Sequence, residues 1–212
     1  MKKPIPIIAT IVVLLAAAAM VTLGVWQLQR KGEKEAVLAL AASNPSRPAV
    51  AFPTLPPVVP EMLFRQSSVH CLRVVSWIEE AGRAADGSMG YRYIANCATG
   101  AEGPGVLVNM GVGGKPDLTP AWTGGQVDGW ISEEPDHRSL IARIFGKAPP
   151  LRPMLIAKAG APDLKPSAPP KVDDIPNNHL SYAVTWFVFA VLALAIYPLA
   201  VRYRARGSKA EG

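Results

Sequence analysis

The sequence predicts a two-span transmembrane helical hairpin that encloses a mainly β domain, formed as a small antiparallel sheet or barrel with short helices. Two observations support this fold class. Each end of the 212-residue chain carries an apolar run long enough to cross a bilayer, with basic residues on its terminal side. Between the runs, short apolar segments alternate with Gly-rich gaps, which is typical of antiparallel strands and their connections.

Composition limits the remaining possibilities. Half of the residues are hydrophobic, and the 21 prolines and 18 glycines indicate many turns and few long soluble helices. The net charge is +6, and the sequence pI is about 9.5. Because much of this excess lies beside the apolar runs, it indicates membrane topology and argues against a nucleic-acid partner.

The first apolar run follows a basic head at residues 1–4 and extends to Trp26. Two interpretations are open. A cleaved signal peptide would use the small residues at 17–19 for processing, whereas a retained anchor needs a longer apolar run. This run has about 22 residues, beyond the ~7–15 of a signal core, so its length favours an anchor at residues 5–28.

The second apolar run, residues 180–201, carries no charge and is closed by Arg202, Arg204 and Arg206. Basic flanks favour the cytoplasm, so both termini are predicted there, with spans at 5–28 and 179–201 and a tail at 202–212. Residues 29–178 are then a periplasmic domain of a bacterial inner-membrane protein. Arg30, Lys31 and Lys34 weakly oppose this orientation, but segments of ~150 residues cross largely regardless of charge.

The region between the spans predicts mainly strands. Strands are expected at 69–77, 90–97 and 105–111, and weaker ones at 126–131 and 153–158. Short helices are expected at 27–42 and 137–145, and the Pro-rich stretches 44–60 and 159–174 predict extended connections. Cys71 and Cys97 do not form a CxxC pair, so zinc is disfavoured; the sequence leaves open whether they form a disulfide.

A histidine stands at the mouth of the second span. Helical spacing places five residues on one face: His179, Tyr182, Ala183, Trp186 and Ala190. One interpretation is that the imidazole and the rings hold a flat apolar group with a metal centre. The other is that Tyr and Trp are ordinary interface residues and Asn178 simply caps the helix.

Motifs of common enzymes do not occur in the sequence. There is no hydrolase elbow, P-loop, dinucleotide fingerprint or HExxH, and the glycines at 111–114 lack P-loop spacing. A membrane enzyme would need His70 or His137 to meet an acid after folding. The sequence therefore predicts a protein that is not an enzyme.

Three segments resemble the motifs of one family. LGVWQLQR at 23–30, VLVNMG at 106–111 and PNNHLSYAVTWF at 176–187 are similar, in this order, to motifs of the surfeit locus protein 1 family of cytochrome oxidase assembly factors. The two-span layout is similar as well. Three positions depart from the family pattern: Met110 replaces an Arg, and Val112 and Glu33 each replace a Trp. The stretch 152–176 is also short against the family.

The resemblance implies a factor that binds haem a and aids its insertion into, or stabilisation in, subunit I of cytochrome c oxidase. Haem a synthase is a further candidate partner, beside the lipid bilayer. His179 matches the family histidine associated with haem and is the implied iron ligand. The other implied cofactor-binding residues are Trp26, Arg30, Tyr182 and Trp186, of which Arg30 suits a haem propionate.

A second function fits the same sequence. A cofactor-free two-span scaffold, whose periplasmic domain docks a partner, would need the same spans and the same β domain. The two hypotheses differ in whether the purified protein carries haem.

Overall fold

The computed structural model describes residues 6–139, 141–142, 145–146 and 148–207. The chain divides into two compact units. The first comprises Met1–Ala36 and Pro176–Gly212, and the second comprises Val37–Ile175. The first unit is helical and the second is mainly β, so the predicted fold class is confirmed.

Two helices of the described residues are long and apolar enough to cross a membrane. Helix α1 is Ile7–Ser43 and helix α2 is His179–Gly207. The mean hydropathy of their most apolar windows is 2.6 and 2.3. Helix α1 includes the stretch 27–42, which the sequence predicted as a short helix after the first span, because no proline or turn signal interrupts it.

The two helices pack along a seam. The residues that α1 contributes are alternately three and four positions apart. They are Thr10, Val13, Ala17, Met20, Gly24 and Gln27. Its α2 residues with the same spacing are His179, Ala183, Trp186, Ala190, Ala193 and Tyr197, and the half-buried Phe187 lies beside them. This period of about 3.5 residues is that of left-handed antiparallel helix pairs. Most other apolar side chains of both helices are exposed, as lipid-facing residues would be.

Small residues and one aromatic ring fill the seam. Ala17, Ala183 and Ala190 are at most 3% exposed. A Cβ at Gly24 would lie 2.5 Å from the ring of Phe187, so the ring occupies the space that any other residue would need. Van der Waals packing of this kind stabilises membrane helix pairs, because lipid provides no hydrophobic driving force between them.

The second unit contains a mixed sheet. Its strands among the described residues are β1 (Gln66–Cys71), β2 (Arg73–Arg83), β3 (Met89–Ala98), β4 (Val106–Gly113), β5 (Gly125–Glu133) and β6 (Pro153–Ala157). Their order is β1-β5-β6-β4-β3-β2. Every neighbouring pair is antiparallel except β4 and β6, which run parallel. The expectation of an antiparallel sheet therefore holds for all but this central pair.

The two edge strands of the sheet are consecutive in the chain. Only Leu72 separates β1 from β2, although β1 pairs with β5 and β2 pairs with β3. Because bonded Cα atoms are ~3.8 Å apart, the sheet must curl until its edges meet at Leu72. The sequence predicted 69–77 as one strand, and the structure divides it at this corner.

The concave side of the curled sheet holds the larger core cluster, which includes Val69, Tyr93, Val108 and Leu155. Cys71 and Cys97, left unassigned by the sequence, form a disulfide between β1 and β3, with Cα atoms 5.3 Å apart. The bond fastens the corner at which the sheet closes. The helix expected at 137–145 falls on a stretch that includes residues outside the described part of the chain.

Candidate functional site

His179, the first residue of α2, contacts Gln27 of α1. The imidazole Nδ1 lies 2.8 Å from Gln27 Oε1, and both side chains are half-buried. The amide oxygen can only accept a hydrogen bond, so Nδ1 is the donor of this pair. The described residues offer Nε2 of His179 no hydrogen-bond partner, so this nitrogen is free to bind something else.

Two of the aromatic residues that the sequence singled out lie on the outer surface of the helix pair. Trp26 precedes Gln27 and is 49% exposed, and Tyr182 lies one turn after His179 and is 56% exposed. Tyr182 is therefore on the flank of the helix face that the sequence predicted, beside the seam rather than in it. Both rings are available to a ligand or to lipid.

The third aromatic residue, Trp186, lies in the seam and is half-buried. Its ring meets Phe189 edge to face, with the centroids 6.4 Å apart. This geometry is a favourable aromatic contact. Trp186 is therefore held in place by its neighbours, two turns deeper in α2 than His179.

Arg30 is exposed and forms an ion pair with Glu33, one turn further along α1. Exposed pairs of this kind contribute little to stability, so the guanidinium can exchange partners at small cost. Glu33 is one of the positions at which the sequence departs from the family motif. Arg30 thus has a carboxylate partner within its own helix.

Asn177 precedes α2 and carries an orphaned acceptor. Its Oδ1 is buried and has no hydrogen-bond partner among the described residues. Leaving a buried polar atom unpaired costs about 1–3 kcal/mol, so such atoms often mark a place where another group binds. This acceptor lies two residues before His179 in the chain.

The other histidines are in the β unit. His70 is exposed on β1, and His137 Nε2 lies 2.7 Å from Glu80 Oε1, whose carboxylate also binds Arg92. In the described part of the chain, no three His, Cys, Asp or Glu side chains cluster as a metal site would require.

Gln27 lies in the first of the three family-like segments, LGVWQLQR, but the sequence did not identify it as a site residue. One signal could have identified it. Gln27 continues the alternating three- and four-residue spacing of Thr10, Ala17 and Gly24, so a polar side chain falls on the packing face of an apolar helix.

A family model, described as the SURF1 family, matches residues 14–191, which is most of the chain. The chain belongs to the SURF1 family. The match includes both partners of the Gln27–His179 hydrogen bond and the whole β unit. SURF1 proteins are oxidase assembly factors and are not a known class of enzyme, which supports a general role of this kind here. A search of curated proteins found no individual SURF1 protein, or any other, that matches.

Proposed function

We propose that this SURF1 protein binds haem a beside His179 and holds it for insertion into, or stabilisation in, subunit I of a cytochrome c oxidase. The main support for this proposal is the hydrogen bonding of the His179 imidazole. Gln27 engages Nδ1, and none of the residues that the structure describes offers Nε2 a hydrogen-bond partner at this end of the apolar helix pair. Neutral imidazole in this state is a ligand for haem iron.

The residues present fit such a group. Haem brings most of the ligands of its own iron, so the protein would need to provide one side-chain ligand and no cluster of ligands. His179 Nε2 would hold the iron, and the exposed rings of Trp26 and Tyr182 would cover apolar surface of the macrocycle. Arg30 would exchange Glu33 for a propionate at small cost, because both groups are carboxylates and the exposed Arg30–Glu33 pair contributes little to stability.

We also propose the membrane setting. The protein would lie in the bacterial inner membrane with both termini in the cytoplasm and the β unit in the periplasm. Basic residues at the end of α2, Arg202, Arg204 and Arg206, support this orientation. The Cys71–Cys97 disulfide supports it independently, because disulfides persist in oxidising compartments.

The haem proposal is tested on full-length protein purified from cells that make haem a. The wild type is expected to show a Soret band, and His179→Ala is expected to lose haem by tenfold or more. His70→Ala is the matched control, since His70 is an exposed histidine of the β unit. Equal haem content in wild type and His179→Ala protein would contradict the proposal.

The partner proposal needs a separate test in cells. Deletion of the protein is expected to lower oxidase activity and the haem a content of subunit I. Affinity purification is expected to recover subunit I, with haem a synthase as a second candidate partner. Recovery of fully haem-loaded oxidase from the deletion strain would contradict the insertion role.

A cofactor-free scaffold is the second candidate function. One observation favours it: Thr10 and Tyr197 form a comparable hydrogen bond at the other end of the same helices. Gln27 and His179 would then serve the same structural purpose, which is to fix the register of the two helices. On this alternative, His179→Ala would lower stability and oxidase assembly while purified wild type showed no Soret band.

A further inference from the structure

The hydrogen-bond partner of His179, the proposed iron ligand on α2, is Gln27 of α1. We infer that Gln27 is a positioning residue, which fixes the tautomer of His179 so that the lone pair of the neutral ring stands on Nε2. This inference rests on the proposed haem function for its purpose, but the tautomer itself is a property of the haem-free protein. It therefore has a test of its own.

The geometry determines which nitrogen carries the proton. Gln27 Oε1 is an amide oxygen with no hydrogen to give, so a hydrogen bond of 2.8 Å requires Nδ1–H as the donor. A neutral imidazole has a single N–H, so Nε2 must then carry the lone pair. A free histidine side chain in water favours the opposite tautomer, and Gln27 reverses that preference.

Packing of the helices keeps the glutamine in reach. Gln27 follows Gly24 by three residues on the same face, and the ring of Phe187 fills the space at Gly24. The side chain of Gln27 therefore lies on the face of α1 that contacts α2, where it reaches the imidazole of the first residue of α2. Gln29, two residues further along α1, is exposed and is not on the seam.

Another acceptor near His179 in the chain does not take this role. Asn177 Oδ1 is buried, yet it has no hydrogen-bond partner among the described residues. The imidazole Nδ1 is therefore engaged by the residue of the opposite helix and not by its neighbour in sequence. Outer partners of this kind orient metal-binding histidines, and losing one typically lowers metal affinity by about 10–100-fold.

The first experiment reads the tautomer directly. Full-length protein from cells without haem a is labelled with ¹⁵N-histidine and studied in detergent micelles at pH 8.5, well above the ~6.5 at which an ordinary imidazole titrates. The chain has three histidines, so His179→Ala assigns the signal. We expect Nδ1–H in the wild type, in Gln27→Glu and in the control Gln29→Leu, and a shift toward Nε2–H in Gln27→Leu.

The second experiment titrates the same proteins with purified haem a and follows the Soret band. Gln27→Leu is expected to weaken binding by about 10–100-fold. Gln27→Glu keeps an acceptor and is expected to bind within threefold of the wild type, with a lower reduction potential, because a carboxylate makes the ring a stronger donor to iron. Gln29→Leu is expected to bind as the wild type does.

The outcomes separate the inference from the function on which it rests. Nε2–H in wild-type protein, or unchanged tautomer and haem affinity in Gln27→Leu, would overturn the positioning role. Should Gln27→Leu not fold, Gln27→Met and the wild-type spectrum alone still decide the tautomer. A wild type with Nδ1–H that binds no haem a would leave the tautomer assignment intact and refute the haem function.

Discussion

Thr10 and Tyr197 join the two membrane helices at the end opposite Gln27 and His179, with their hydroxyl oxygens 2.5 Å apart. Thr10 and Gln27 are separated by about 17 residues of α1, or ~26 Å. Two polar contacts therefore fix the register of the helix pair near both ends of its apolar length. A slip of one residue would break both contacts at once.

The contact at Tyr197 is expected to make a small contribution to stability. Tyr197→Phe should lower the free energy of unfolding by about 0.6 kcal/mol, the average for interhelical hydrogen bonds in membranes. Reversible unfolding of the full chain in mixed detergent micelles measures it. Tyr203→Phe is the control, because Tyr203 is 81% exposed. An equal loss in the control would contradict the role of the Thr10 contact.

Gly24 and Gly32 lie on the same helix, and the same Gly→Ala substitution is expected to have opposite effects on stability at the two positions. Ala is the better helix former by about 1 kcal/mol, so Gly32→Ala, which meets no atom within 4 Å, should stabilise the protein. Gly24→Ala should destabilise it by about 1–3 kcal/mol, because the new methyl group would overlap the ring of Phe187. Unfolding curves of both variants test this; stabilisation by both would mean that the seam is loosely packed.

Replacement of Asn177 is expected to raise the stability of the protein and to weaken its binding of haem a. Asn177→Leu removes the orphaned acceptor and should stabilise haem-free protein by up to about 1–3 kcal/mol. If a bound group supplies the missing donor, the same change should weaken retention of haem a several-fold. Unfolding of haem-free protein and Soret titration measure the two effects. Unchanged haem retention would show that the acceptor serves no ligand.

The disulfide should account for a substantial part of the stability of the β unit. Cys71 and Cys97 are 26 residues apart, and closing a loop of this length stabilises by about 3–4 kcal/mol. The double variant Cys71→Ser/Cys97→Ser should lose about this amount in denaturant unfolding of the full chain. Addition of a reductant should destabilise the wild type and leave the double variant unchanged.

The phenol of Tyr93 links the core to a loop, and we expect it to make the stability of the fold depend on pH. Its hydroxyl donates to the carbonyl of Lys115 and accepts from the amide of Leu118, and burial raises the pKa of the phenol. A raised folded-state pKa stabilises the fold at pH values below the ordinary ~10 and costs stability as the pH rises above it. Wild type should therefore lose more stability than Tyr93→Phe between about pH 10 and 12. Parallel losses would contradict the assignment.

Local sequence patterns predicted the elements better than their arrangement. The apolar runs and the strands near 90–97 and 105–111 follow from composition and periodicity, because these depend on neighbouring residues alone. The parallel pairing of β4 with β6 could not be predicted, since it depends on which distant strand fills a place in the sheet. The corner at Leu72 has no glycine or proline signal and arises from the curl of the whole sheet.

The sequence predicted the part of the candidate site that depends on local pattern and missed the part that depends on how the two helices pack. His179 was identified from its position at the mouth of the second span, and the structure places it on the seam. Tyr182 was assigned to the same face by i, i+3 spacing, but the seam follows His179, Ala183 and Trp186, which leaves Tyr182 on the flank. The Gln27 contact depends on the register of α1 against α2, which no single stretch of sequence contains.

The order of the strands has a consequence for biogenesis. β6 joins two halves of the sheet, β1 with β5 and β2 with β3 and β4, yet it is the last of the described strands to be synthesised. Until Pro153–Ala157 has left the ribosome, each half has an unpaired border that another chain could occupy. Only about 20 residues later α2 begins, so completion of the sheet and delivery of the second helix to the insertion machinery would fall within seconds of each other at ordinary rates of translation.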